Sequence, residues 1–190
     1  MKRFVMKSLL VCGLLISWNA SALNLAGIHL VDRVQMGNTP LELNGGGLRK
    51  KWFFKVYVLG LYLPHKMTTA QAVIDDGNER RIVMHMLRDL SSEKLYGAFK
   101  EGIEANNTHD VVAAIGVQMK QMEQIFESVE EIKEGDIIRL DYQPGVGTQI
   151  IVNGTNRGTI EGAGFSRALI RVWLGSQPVQ EDMKKGMLGG

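Results

Sequence analysis

Between Leu43 and Leu63 the chain reads LNGGGLRKKWFFKVYVLGLYL. Three glycines lead to one arginine and a short basic bend, and a run that is almost wholly apolar or aromatic follows. From Phe53 onward one parity reads Phe53, Lys55, Tyr57, Leu59, Leu61, Leu63, and the other Phe54, Val56, Val58, Gly60, Tyr62. Neither parity offers a polar face, so a strand here must be covered on both sides. The run is too short for a bilayer span, which takes about 20 apolar residues. It predicts the central strand of a sheet, with Arg49 at its approach. Gly45, Gly46 and Gly47 weaken a strand through their backbone entropy, so they predict a bulge or a close approach by another part of the chain.

The remaining segments supply the covering layers. Residues 27–36 suit a first strand, Leu41 and Leu43 alternate with polar neighbours, and residues 68–75 suit a short helix. Residues 81–88 (RIVMHMLR) alternate as another strand. Ser91 or Ser92 can cap a helix carrying Leu95, Phe99 and Ile103 on one face. Asn107 or Thr108 can cap a second, with Val112, Ile115, Met119, Met122 and Phe126 as its stripe. Residues 136–143, 148–152 and 157–160 predict a three-strand meander, its second turn marked by Asn153-Gly154. Residues 163–174 predict a helix with Phe165, Leu169 and Val172 inward, and Pro178 the opening of a last short one. Strands, two helices, strands, two helices: this segregation indicates an α+β domain on an antiparallel sheet.

The N-terminus adds a cellular context. Lys2, Arg3 and Lys7, an apolar stretch from Ser8 to Trp18, and Ala20-Ser21-Ala22 have the layout of a signal peptide at 1–22, cleaved after Ala22. Residues 23–190 are then expected to form one domain, and export with this plain composition points to a bacterial periplasm. The leader holds three basic residues, no acid and the sole cysteine, Cys12. The remainder therefore carries 19 basic against 20 acidic side chains, a net charge of −1. A chain with neither disulfide nor thiol must be held by its core, and near-neutrality without a basic stripe argues against nucleic acid.

Familiar catalytic patterns are missing. The histidines (His29, His65, His85, His109) lack metal-ligand spacing, and no G-x-S-x-G elbow occurs. No G-K-[ST] follows the triple glycine, so it is not a phosphate loop. No metal and no cofactor is expected. Glu130, Glu131 and Glu134 read as a solvated helix end.

Gly45-Gly46-Gly47-Leu48-Arg49 followed by Phe53-Phe54-Lys55-Val56-Tyr57-Val58-Leu59-Gly60-Leu61-Tyr62-Leu63 resembles the G-x-G-x-R … K-V-Y-x-x-G-L-Y signature of the chalcone isomerase-like proteins. The helical pair, the meander and the I-E-x-x-x-x-S-x-A-L segment from Ile160 to Leu169 are similar in order, over residues 25–188. The resemblance implies an open-faced β-sandwich, a long antiparallel sheet packed by helices with a ligand cleft between. It also implies one of two activities, cyclisation of a chalcone or non-catalytic binding of a fatty acid. Arg49 matches the arginine common to both kinds. Tyr57 matches the tyrosine with which the fatty-acid binders hold a carboxylate, where the isomerases carry threonine. Lys94, Glu101 and Val172 fall where the isomerases place tyrosine, asparagine and threonine or serine. The resemblance therefore implies a non-enzymatic binder of a fatty acid or similar apolar carboxylate. Arg49 and Tyr57 would take the head group, with Met119 and Met122 beside the tail.

Elementary geometry sets a condition on this. Eight residues along one straight strand separate Arg49 from Tyr57 by about 27 Å, too far to share a carboxylate. A hairpin bend near Lys50–Phe53 makes them cross-strand neighbours. They share a face only with an odd loop, or with a bulge in the triple glycine that corrects the parity. A guanidinium fork then suits a carboxylate, and a phenol can add a third donor. Three alternatives stay open: an isomerase or lyase using Arg49 as electrophile and Tyr57 as acid, a ligand-free interaction protein with Arg49 satisfied internally, and Met119 and Met122 as plain core.

Overall fold

A computed structural model describes residues 23–129 and 131–190. The expected leader at 1–22, and Glu130, lie outside the described residues. In chain order the elements are β1 (Leu23–Leu25), β2 (Ile28–Leu30), β3 (Arg33–Met36), β4 (Thr39–Lys51), β5 (Phe54–Leu63), α1 (Ala70–Asp75) and β6 (Arg80–Met86). Then come β7 (Leu90–Ser91), α2 (Ser92–Asn106), α3 (His109–Ala114), α4 (Gly116–Glu127) and β8 (Glu131–Ile132). The meander β9 (Ile137–Gln143), β10 (Gly147–Val152) and β11 (Thr155–Ile160) precedes α5 (Ala163–Leu174) and α6 (Glu181–Met187).

Seven strands form one antiparallel sheet in the order β11-β10-β9-β6-β5-β4-β3. β5 lies inside it between β4 and β6, covered on both faces as its composition requires. Tyr57, Leu59, Leu61 and Leu63 enter the main core with the helices. Val58 and Tyr62 enter a smaller core with Leu30, Leu41, Leu43 and Val83. At Gly60 a Cβ would press on the Leu30 side chain at 3.3 Å, so the absence of a side chain there makes room for this second layer.

The triple glycine is explained by close approach on both sides of β4. A Cβ on Gly45 would overlap the Gly186 carbonyl oxygen of α6, and one on Gly47 would lie 2.6 Å from Met183 Cγ of the same helix. Gly46 faces the other way, where a Cβ would meet Leu30 Cδ1 at 2.7 Å. A bulge at Asn44 adjoins this run, between the pairs Leu43–Tyr62 and Gly45–Leu61. Its buried amide donates to the carbonyls of Met67 (2.9 Å) and Met187 (2.7 Å) and accepts from the Met67 N–H (2.7 Å). The bulged residue thus ties the strand to the loop before α1 and to the end of α6.

Local signals set many boundaries. Ser91 and Thr108 cap α2 and α3, each side chain accepting a backbone N–H from three residues on. Asn153 and Gly154 both have positive φ, as a two-residue hairpin turn demands. Three expectations change. The strand over 27–36 is broken at Val31–Asp32 into β2, which pairs with β1, and β3, which pairs with β4. The second long helix is divided at Ile115 (φ −103°, ψ 16°) into α3 and α4, where a glycine that disfavours helix interior follows. Pro178 precedes the last helix rather than opening it, since Gln180 is the residue before Glu181.

Gly45→Ala is expected to destabilise the fold by about 1–3 kcal/mol, because the obstructing atom is backbone. Gly77→Ala, at a site with open space around the added carbon, should leave the thermal midpoint unchanged. Paired calorimetric scans of the two variants check this.

Candidate functional site

At one end of the β4–β5 hairpin the chain turns through Trp52 and Phe53, with Lys51 opposite Phe54 and Lys50 opposite Lys55. A two-residue turn is even, so unaided it would set Arg49 opposite Val56. A second bulge, at Val56, shifts the register by one, and Arg49 pairs directly with Tyr57. The parity condition is met by a bulge, but on β5 rather than within the glycines of β4. Arg49 and Tyr57 consequently share a face, the one toward the helices.

A cleft of about 520 Å³ opens there. Arg49, Trp52, Phe54, Val56 and Tyr57 of the hairpin form one wall, and Leu95, Ala98 and Phe99 of α2 another. Val172 of α5 and Val179 also line it. Its basic groups are Arg49, Lys51, Arg88 and Lys94, and Glu101 is the one acid among the lining residues.

Each anchor has spare bonding capacity. Arg49 donates from Nη1 to the Lys50 carbonyl at 2.7 Å and forms no ion pair among the described residues. Tyr57 is buried, and its hydroxyl oxygen accepts the Trp173 indole N–H at 3.1 Å. That bond orients the phenol and leaves its own proton available for donation. Burial raises the Tyr57 pKa, opposed in part by the Trp173 bond and by the charge of Arg49. The group therefore stays a neutral donor through the physiological range. A half-buried guanidinium and an oriented phenol side by side can receive a carboxylate through charge-assisted bonds.

Met119 and Met122 do not join this site. Both are buried in the main core on α4, packed with residues such as Phe126 and Ile115, and neither lines the cleft. The helix that bounds the cleft is α2. The stripe on α4 correctly announced a buried face, but helical periodicity does not say which layer that face meets. Lys94, Glu101 and Val172 do line the cleft, each at a position matched above to a polar residue of the isomerases.

Two contributors escape a reading of the sequence. Arg88, at the end of the alternating 81–88 segment, stacks its guanidinium over the Phe54 ring at 4.6 Å. Its Nε is buried without a hydrogen-bond partner. Gly97 lies inside α2 and lines the cleft, and a Cβ there would meet nothing within 4 Å. Glycine is unfavourable at a helix interior by roughly 1 kcal/mol relative to alanine, so its presence beside an open space is itself a signal. The signal was available at residue level but needs the cleft to be interpreted.

The comparisons agree with this architecture. No curated protein matches the sequence. Among solved structures, a fatty-acid binding protein of Arabidopsis thaliana superposes with a TM-score of 0.67 at 15% identity, over 88% of this chain and 96% of that one. At that identity the likeness speaks for the fold, an α+β arrangement with a large antiparallel sheet packed by helices. The family model described as chalcone isomerase-like matches residues 22–189, and the chain belongs to that family.

Proposed function

We propose that this is a non-enzymatic binding protein for a fatty acid or similar apolar carboxylate, working in the periplasm after removal of residues 1–22. Arg49 and Tyr57 take the carboxylate. The alkyl tail runs along Leu95, Ala98 and Phe99 of α2 rather than along α4. The observation that carries this reading is an arginine without an acidic partner among the described residues, paired in register with an oriented phenol at an apolar cleft. An internal acid on Arg49 would have left nothing for a ligand to do. The likeness in fold to a fatty-acid binding protein of Arabidopsis thaliana supports this reading.

The isomerase reading has less support. Lys94, Glu101 and Val172 reach the cleft, but they do not reproduce the polar set that the resemblance assigns to catalysis. Tyr57, its proton held more tightly by burial, is a better hydrogen-bond donor than acid.

Arg49→Ala should weaken carboxylate binding by roughly ten- to a hundredfold, the loss of charge-assisted bonds worth about 1.5–3 kcal/mol. Titration with a long-chain fatty acid and with its methyl ester measures this. The acid should distinguish wild type from variant and the ester should not; equal affinities for the acid would remove the anchor.

Gly97→Leu should fill the cleft from the helix side. Fatty-acid affinity should fall while the unfolding midpoint holds or rises, since leucine suits the helix interior better than glycine. Retained affinity in a folded variant places the tail elsewhere. The intact mass of the protein exported by a Gram-negative host should correspond to a chain starting at Leu23, and a mass including residues 1–22 rules out the cleavage.

A further inference from the structure

The hairpin tip carries more apolar surface than the cleft requires. Trp52, Phe53 and Phe54 are 85%, 98% and 54% exposed, three large aromatics in succession. Among the described residues, the other large apolar side chains left in solvent are single and dispersed: Val31, Val117, Ile137 and Val146. Scattered exposure is ordinary, whereas three adjacent aromatics at the end of a protruding hairpin are not. The backbone adds a second observation. Trp52 has φ +56°, a left-handed conformation that disfavours a bulky residue and that glycine or asparagine would adopt readily. The aromatic side chain is thus held out at a position where the turn alone would select something small.

Charge specifies the occupant. Lys50, Lys51 and Lys55 flank the aromatics and are exposed, and no Asp or Glu occurs between Glu42 and Asp75. Indole and phenyl rings ringed by lysines match an anionic bilayer, with the rings at the level of the head groups and the ammonium groups against lipid phosphates. The tip is also continuous with the cleft, for Lys51, Trp52 and Phe54 line its wall. We infer that the β4–β5 hairpin tip is a reversible docking element for an anionic phospholipid membrane, seating the cleft against the bilayer surface. This deepens the carboxylate-carrier reading: a poorly soluble amphiphile would pass between membrane and cleft with its tail shielded by the same aromatics.

The exported protein is mixed with lipid vesicles free of fatty acid, one set of neutral phosphatidylcholine and one containing a quarter phosphatidylglycerol. Sedimentation and tryptophan emission are read. Residues 23–190 contain two tryptophans, Trp52 and the fully buried Trp173, so a blue shift on adding vesicles reports Trp52. Wild type should pellet with the anionic vesicles and shift to the blue, and binding should decline as salt is raised. Trp52→Asn with Phe53→Gly supplies residues suited to the turn and keeps Phe54 on Arg88. The pair should fold, with an unfolding midpoint close to that of wild type, and lose at least about tenfold in vesicle partition. Lys50→Gln with Lys55→Gln should lose the preference for anionic lipid.

Failure of wild type to bind anionic vesicles at low salt, or equal binding by the aromatic double variant, overturns the proposal. A concentration-dependent dimer of wild type that the double variant lacks, without vesicle binding, assigns the tip to a second copy and also overturns it. Since the vesicles hold no fatty acid, loss of the Arg49 anchor and loss of membrane docking are read separately. Every protein compared has the same N-terminus, so their difference reports the hairpin alone.

Discussion

The register of β4 against β5 is the constraint on which the rest of the molecule depends. Its two bulges have opposite effects on the count, one adding Asn44 to β4 and the other Val56 to β5. Between them, the five residues Gly45 to Arg49 oppose Leu61 to Tyr57 one to one in uninterrupted alternation. The alternation sends Tyr57, Leu59 and Leu61 toward the helices and Val58 toward the second layer. Removing the Val56 bulge while keeping the two-residue turn would set Arg49 opposite a valine. A one-residue slip in a sheet exchanges its faces, so the arginine and the phenol would no longer address the same cavity. The site is a consequence of strand pairing before it is a collection of side chains.

The two ends of this ladder are specialised differently. At the Asn44 end the strand is tied to its neighbours. The glycines admit α6 and Leu30 to van der Waals contact, and the bulged amide has three partners. Elsewhere in the sheet, buried charge is treated in the same way. Arg81 makes a two-pronged pair with Asp141, both bonds 2.7 Å. Arg80, which forms no ion pair among the described residues, donates to the Val73 carbonyl and the Ser166 hydroxyl and lies over the Tyr142 ring. Its burial lowers its pKa to about 10, still far above neutrality, so it remains charged within its hydrogen bonds. A carboxylate partner for a guanidinium is therefore within the means of this fold, as Arg81 shows, whereas Arg49 has the Lys50 carbonyl and lines a cleft.

How much of this could be read from residues alone follows from what each signal encodes. A run apolar on both parities announced a strand inside the sheet, and β5 is one. Ser91, Thr108 and Asn153-Gly154 act through their own backbone neighbours, so they set caps and a turn without tertiary information. The resemblance of the glycine and K-V-Y segments led to the family and to Arg49 and Tyr57. Signals that depend on a partner were harder. The 112–126 stripe reads as one helix because periodicity tolerates a bend, and the ladder nearly survives it: Ile115 N–H still reaches Val111 O, and Met119 N–H reaches Ile115 O. Of the two readings of Met119 and Met122, beside a tail or plain core, periodicity could not choose, because a buried face does not name its neighbour. Arg88 is unremarkable until Phe54 is placed under it, and Gly97 until the space beside it is seen.

Local departures from good folding practice gather at the other end of the ladder. Arg49 lacks an acid among the described residues, and the buried Nε of Arg88 lacks a partner. Trp52 holds a positive φ, Phe53 is almost wholly in water, and Gly97 interrupts a helix beside open space. Taken singly each costs stability, and each has a cheap remedy in the ordinary set of amino acids. Because consistency across levels is what specifies a fold, a cluster of such departures marks a place where something other than folding set the sequence. Two kinds of demand account for the cluster. The inward groups, Arg49, Arg88 and Gly97, supply charge and room to a cavity. The outward ones, Trp52 and Phe53 with their lysines, supply a surface that water does not suit. Arg49, Trp52 and Phe53 belong to one β4–β5 hairpin, so the cleft's arginine and the apolar tip share the same ladder of backbone hydrogen bonds.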